Sequence, residues 1–143
     1  MRTNIVKGMI INLLIFQYAY AIDAGEIIGN WVNAKGDGII AISIAQSEYA
    51  GTIIGTPDPK NNGRKDTNNP DPKLQGRLLE GAKILSGFSY TEDNLWSGGT
   101  IYDPNNGKTY KCKLSLNEDG TLNVRGYVGV SLFGRTEIWK RQK

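Results

Sequence analysis

The stretch Trp96-Ser-Gly-Gly-Thr-Ile-Tyr-Asp-Pro-Asn-Asn-Gly-Lys-Thr-Tyr-Lys-Cys112 has the composition of a catalytic loop and the periodicity of a hairpin. Its second half decides between them. Tyr110, Cys112, Leu114 and Leu116 alternate with Lys111, Lys113 and Ser115, so a strand here turns its lysines to water and Tyr110 and Cys112 inward. Asp103-Pro104-Asn105-Asn106-Gly107 supplies a proline and an Asn-Gly where a tight turn needs a preset φ followed by a positive one. On the first half, simple alternation puts Trp96, Gly98, Thr100 and Tyr102 on one face and Ser97, Gly99 and Ile101 on the other.

The same reading extends in both directions. Gly29 to Asn33 leads through the turn Lys35-Gly36-Asp37-Gly38 into Ile39–Ile44, where Ile40, Ile42 and Ile44 share a face. A strand from Tyr49 to Ile54 follows. Lys83 to Phe88 resumes an apolar pattern, with Gly81 and Gly87 favouring strand over helix. Asn117-Glu118-Asp119-Gly120 separates Lys111–Leu116 from Thr121–Tyr127, and Arg135–Arg141 closes the series. About eight short strands at this spacing predict an all-β, antiparallel up-and-down barrel or a sandwich. A barrel of that size holds either side chains alone or one small ligand.

Between Gly55 and Arg77 the apolar period disappears, and four of the five prolines fall there. This is a long loop, either a solvated excursion or a site. Its cations Lys60, Arg64, Lys65, Lys73 and Arg77 are offset by Asp58, Asp66 and Asp71, so it forms no basic patch.

The N-terminus has the pattern of a secretory signal: Arg2 and Lys7, the apolar run Met9–Phe16, then Ala19-Tyr20-Ala21. Cleavage after residue 21 leaves a single domain, 22–143, exported to the periplasm or secreted. The run is too short to cross a bilayer, so no stable membrane insertion is expected after cleavage. Loss of Arg2 and Lys7 takes the 17 basic side chains to 15 against 14 acidic, a net charge of +1. That balance argues against a nucleic-acid partner.

The chain has no histidine and one cysteine. Ser-His-Asp and Cys-His nucleophiles, imidazole zinc sites and an internal disulfide are thereby excluded. Cys112 reads as a small core residue. Asp103 with Asn105 lacks the remaining ligands of a calcium loop, and Gly107-Lys108-Thr109 lacks the spacing of a phosphate loop. Asp71 and Asp103 are the only acid/base pair worth weighing, and both adjoin prolines in turn-like surroundings. The expectation is no enzyme, no metal and no cofactor.

Taken together, Gly29-x-Trp31, Asn69-Pro70-Asp71, Leu74-x-Gly76-Arg77, the Trp96–Cys112 stretch, Leu122-x-Val124-Arg125-Gly126-Tyr127 and Gly134-Arg135-Thr136-x-x-Trp139-x-Arg141 resemble a family of small exported bacterial proteins of unknown function. The resemblance spans nearly the whole mature chain. It implies a lipocalin-like barrel with an internal cavity and no established enzymatic activity. Gly29-x-Trp31 also resembles the lipocalin first-strand signature, which implies that Trp31 closes the barrel bottom and that Arg135 or Arg141 packs on it by a cation–π contact. The second lipocalin motif, Thr-Asp-Tyr, is absent.

The function expected is therefore small-molecule binding, for an apolar or amphipathic ligand, with Ile40, Ile42, Trp96, Tyr102, Tyr110, Cys112 and Leu114 as cavity candidates. The alternative is an envelope interaction module whose 55–77 loop meets a protein or cell-wall partner while the barrel interior is packed.

Overall fold

The computed structural model describes Leu14 and residues 23–143. The signal sequence and its cleavage point lie outside the described residues, Leu14 apart. Eight antiparallel strands form a closed barrel in sequence order: β1 (Gly29–Val32), β2 (Ile39–Ala45), β3 (Glu48–Gly55), β4 (Lys83–Thr91), β5 (Leu95–Asp103), β6 (Lys108–Leu116), β7 (Leu122–Tyr127) and β8 (Arg135–Arg141). Each strand hydrogen-bonds to the next. The ring closes where Trp31 and Val32 of β1 pair with Arg141 and Lys140 of β8. That seam is short because β1 has only four residues.

Up-and-down topology sends the connections to opposite ends. The segments 33–38, 56–82, 104–107 and 128–134 gather at one end, and the tight turns 46–47, 92–94 and 117–121 at the other. The second end is sealed by the turn that precedes β1. Trp31 is fully buried and donates its indole N–H to the Ile27 carbonyl at 2.9 Å; Trp96 donates to the Ala24 carbonyl at 3.1 Å. The Arg141 guanidinium lies 4.3 Å from the Trp31 ring centroid and donates to the Ile28 and Glu26 carbonyls. Gly29 is required beside it: its φ is +137°, and a Cβ there would come within 2.9 Å of the guanidinium. Arg135, the other candidate for this contact, sits at the far end of β8 and lines the barrel mouth, because five residues of strand separate it from Arg141.

Above this seal the lower half of the barrel is filled. Ile42, Tyr49, Phe88, Trp96, Cys112, Leu114, Leu116 and Leu122 are buried in one cluster with Trp31. The Tyr49 ring meets Trp96 edge-on, with centroids 6.3 Å apart.

On β5 the alternation expected from sequence breaks. The register with β6 shifts between Trp96 and Gly99, with Gly98 at φ +78°. The bulge turns Gly99 inward and leaves Gly98 and Thr100 exposed. A Cβ on Gly99 would stand 2.6 Å from the Phe88 ring, so the glycine is the seat for that ring. On β6 Lys111 is exposed. Lys113 also points outward but is half-buried, over the Tyr127 ring at 5.8 Å and bonded to Ser131 Oγ at 3.3 Å.

Replacement of Trp31 by Ala is expected to cost about 3–5 kcal/mol, and Arg141→Met, which keeps an apolar stem, about 1 kcal/mol. Urea melts followed by tryptophan fluorescence read both. Equal losses would remove the indole's place as the principal seal.

Candidate functional site

The upper half of the barrel is open. Ile40, Ile53, Ile84, Ile101, Val124 and Trp139 form its apolar walls, and the cavity has a volume of about 490 Å³. The floor is the buried cluster just described. Polar groups collect at the mouth, where Asn33, Lys35, Asp37, Arg64, Asp103 and Arg135 reach the rim. On β8 the inward residues read Arg135, Glu137, Trp139, with Glu137 placed to receive the Trp139 indole N–H at 3.4 Å.

Of the residues nominated from sequence, Ile40, Tyr102 and Tyr110 line this space. Ile42, Trp96, Cys112 and Leu114 do not; they belong to the plug below it. Alternation assigns a residue to the inner face but is blind to depth along the barrel axis, and these four sit too near the sealed end. Ile53, Ile84, Ile101, Val124, Glu137 and Trp139 were not nominated. The signal for the last two was available, because Arg135, Glu137, Trp139 and Arg141 share one face of β8.

The segment between β3 and β4 is largely exposed to solvent, yet it is ordered by its own contacts. It folds back on itself through a bridge between Lys65 and Leu78, and it is tied down by one buried carboxylate. Asp66, fully buried, accepts from Tyr102 Oη at 2.6 Å, Asn69 Nδ2 at 2.8 Å and Arg77 Nε at 2.9 Å. Asn68 donates to the carbonyls of Pro104 and Asn105 in the β5–β6 turn, both at 3.1 Å. Gly107 lets the two segments meet, since a Cβ there would stand 1.9 Å from the Asn68 oxygen. Arg64 then reaches Asp37 at 3.4 Å in the β1–β2 turn and Asn105 at 3.2 Å in the β5–β6 turn. These turns are not sheet neighbours, so the guanidinium bridges the cavity mouth.

Burial pushes the Asp66 carboxyl upward, but its three hydrogen bonds and the Arg77 charge outweigh that and hold it below the ordinary 3.8. Burial, reinforced by Asp66, pushes the Tyr102 hydroxyl up to about 12, so it stays a donor. Burial alone pushes the Cys112 thiol up to about 12. Such a thiol is inert at neutral pH, and Cys112 carries no chemistry at the site. Asp71 and Asp103 each cap their own turn, accepting from the backbone N–H of Lys73 and Asn105 at 2.9 Å. Among the described residues no group of three or more histidine, cysteine, aspartate or glutamate side chains is placed to hold a metal ion.

Residues 29–141 match the model of a bacterial family described as "Uncharacterized protein conserved in bacteria (DUF2147)", and the chain belongs to that family. No curated protein matches the chain. Among solved structures it is similar to protein HP1028 from Helicobacter pylori, described as belonging to the lipocalin family. The two share 25% identity over 81% of this chain and 82% of that one, with a TM-score of 0.73. The barrel is thus lipocalin-like.

Because the folded Asp66 value is depressed, its contribution to stability is fully present above pH 3.8 and is lost as pH falls through the folded value. Asp66→Asn is expected to lower stability by about 1–3 kcal/mol at neutral pH and to flatten the acid limb of a stability-versus-pH curve. An unchanged acid limb in the variant would show that other carboxylates set it. Native Cys112 is expected to resist iodoacetamide at pH 8 and to react fully once unfolded, as read by mass spectrometry.

Proposed function

We propose that this member of the bacterial family is an exported carrier that holds one small apolar or amphipathic molecule in the upper half of its barrel. The observation that carries the reading is the cavity of about 490 Å³, apolar in its walls and polar at its rim. That size and that division of polarity are those of small-molecule pockets generally. The apolar part of a ligand would lie among Ile40, Ile53, Ile84, Ile101 and Val124. A polar end would face Arg135, Glu137 and the Tyr110 hydroxyl. Similarity to a protein described as a lipocalin supports the same reading. Export is supported by the signal pattern in residues 1–21.

The competing reading, an interaction module built on the 55–77 loop, presupposes a packed interior. The open upper half weighs against it. So do Asp66 and Arg64 of that loop, which are engaged with Tyr102, Asn105 and Asp37 rather than held out for a partner.

Gly126 offers a direct test. A Cβ there would make only ordinary contacts, 3.6 Å from Ile101 and Tyr110, both lining the cavity, so Gly126→Leu fills space without an overlap at its base. Binding of an environment-sensitive fatty-acid probe is expected in the wild type and at least about tenfold weaker in the variant, with both melting alike. Absence of saturable probe binding, together with no small molecule in native mass spectra of protein from its host, would overturn the proposal.

A further inference from the structure

The connection between β7 and β8 departs from the usual treatment of apolar side chains. Within six residues Val128 is 73% exposed, Val130 58%, Leu132 79% and Phe133 78%. A folded chain rarely leaves four large apolar groups together in water without a use for them. The protrusion is nonetheless built firmly. Arg125 donates from Nε to the Ser131 carbonyl at 2.9 Å, from Nη2 to the Leu132 carbonyl at 3.4 Å and from Nη1 to Thr136 Oγ1 at 2.8 Å. Lys113 holds Ser131 from the side at 3.3 Å. The tip therefore carries apolar side chains and its base carries cations: Arg125, Lys113 and the exposed Arg135. No aspartate or glutamate occurs from Gly120 to Thr136.

We infer that the 128–134 loop is a peripheral membrane-docking tip that inserts Leu132 and Phe133 into the interface of an anionic phospholipid surface. Apolar side chains at the apex with cations one step behind match the depth order of such a surface, acyl chains below and charged headgroups above. A protein partner or a second copy fits less well. A stable protein interface buries about 1,200 Å² or more in total, whereas this tip is six residues wide. Its place also matters, since Val128 and Phe133 line the cavity mouth. Ile54 and Leu78, at the same end, are 42% and 51% exposed, which extends the apolar rim. The docked barrel would face the bilayer mouth first. The inference stands on the loop itself and does not require that the cavity take a lipid.

The experiment is co-sedimentation with vesicles of phosphatidylcholine alone and of phosphatidylcholine with phosphatidylglycerol. The wild type is expected to partition onto the anionic vesicles, more weakly at high salt, and poorly onto the zwitterionic ones. Leu132→Ser with Phe133→Ser is expected to lose about tenfold or more in partition, and Arg135→Gln to reduce the preference for anionic lipid. A second measurement guards against a folding defect: a fluorophore attached at Leu132→Cys should shift to the blue on vesicle addition, while buried Cys112 stays unlabelled. Equal sedimentation of wild type and the double serine variant, or an unshifted probe, would overturn the inference. So would a wild-type dimer in solution that the double variant converts to monomer while vesicle binding is absent, which would assign the tip to contact between copies.

Discussion

The barrel depends on one stacked pair at its weakest seam. β1 contributes four residues, and only Trp31 and Val32 pair across to β8. Two ladder pairs would leave the ring easy to open. Arg141 compensates by stacking on Trp31 and by binding the carbonyls of Glu26 and Ile28, so one side chain fastens the last strand to the first and to the turn beneath them. The glycine at position 29 belongs to the same device, because only there can backbone yield the space that the guanidinium occupies. Closure removes both sheet edges at once, and with them the exposed ladder groups that invite association.

With the bottom fastened, the interior divides into a plug and a space. The division follows from side-chain size by level. Trp31, Phe88, Trp96 and Trp139 rank among the largest fully or nearly fully buried side chains, and the first three fill the lower half with Leu114 and Leu122. Higher up, the inward positions are mostly isoleucines, with Val124, Gly126, Tyr110 and Trp139, and a cavity of about 490 Å³ is left between them. Glycines serve opposite ends by opposite means: Gly99 admits a ring that completes the plug, whereas Gly126 leaves a gap.

Strand number, order and the inward face of β6 were legible because a two-residue period survives translation into structure wherever the strand is regular. Lys111 and Lys113 against Cys112 and Leu114 was such a case. On β5 the adjacent Gly98 and Gly99 carry no side chain to mark a face, so the bulge left no trace in the pattern and Thr100 went to the wrong side. Depth along the axis was equally silent, and Ile42, Trp96, Cys112 and Leu114 were accordingly placed in a cavity that stops above them. The segment 56–82 was unreadable for another reason. Its order rests on polar bonds converging on Asp66 from residues as distant as Tyr102, and hydrophobic periodicity cannot register these.

The two fastenings of that segment differ in kind. At its root, Asp66 is wholly buried and satisfied three times over; at its far reach, Arg64 meets Asp37 with both side chains partly in water. A partly exposed pair of this sort contributes about 0–1 kcal/mol, whereas the buried root keeps three hydrogen bonds. The crossing over the mouth is therefore fixed firmly at its base and only lightly at its tip. Added salt screens the Arg64–Asp37 pair and leaves the buried Asp66 node, and with it the base of the segment, in place.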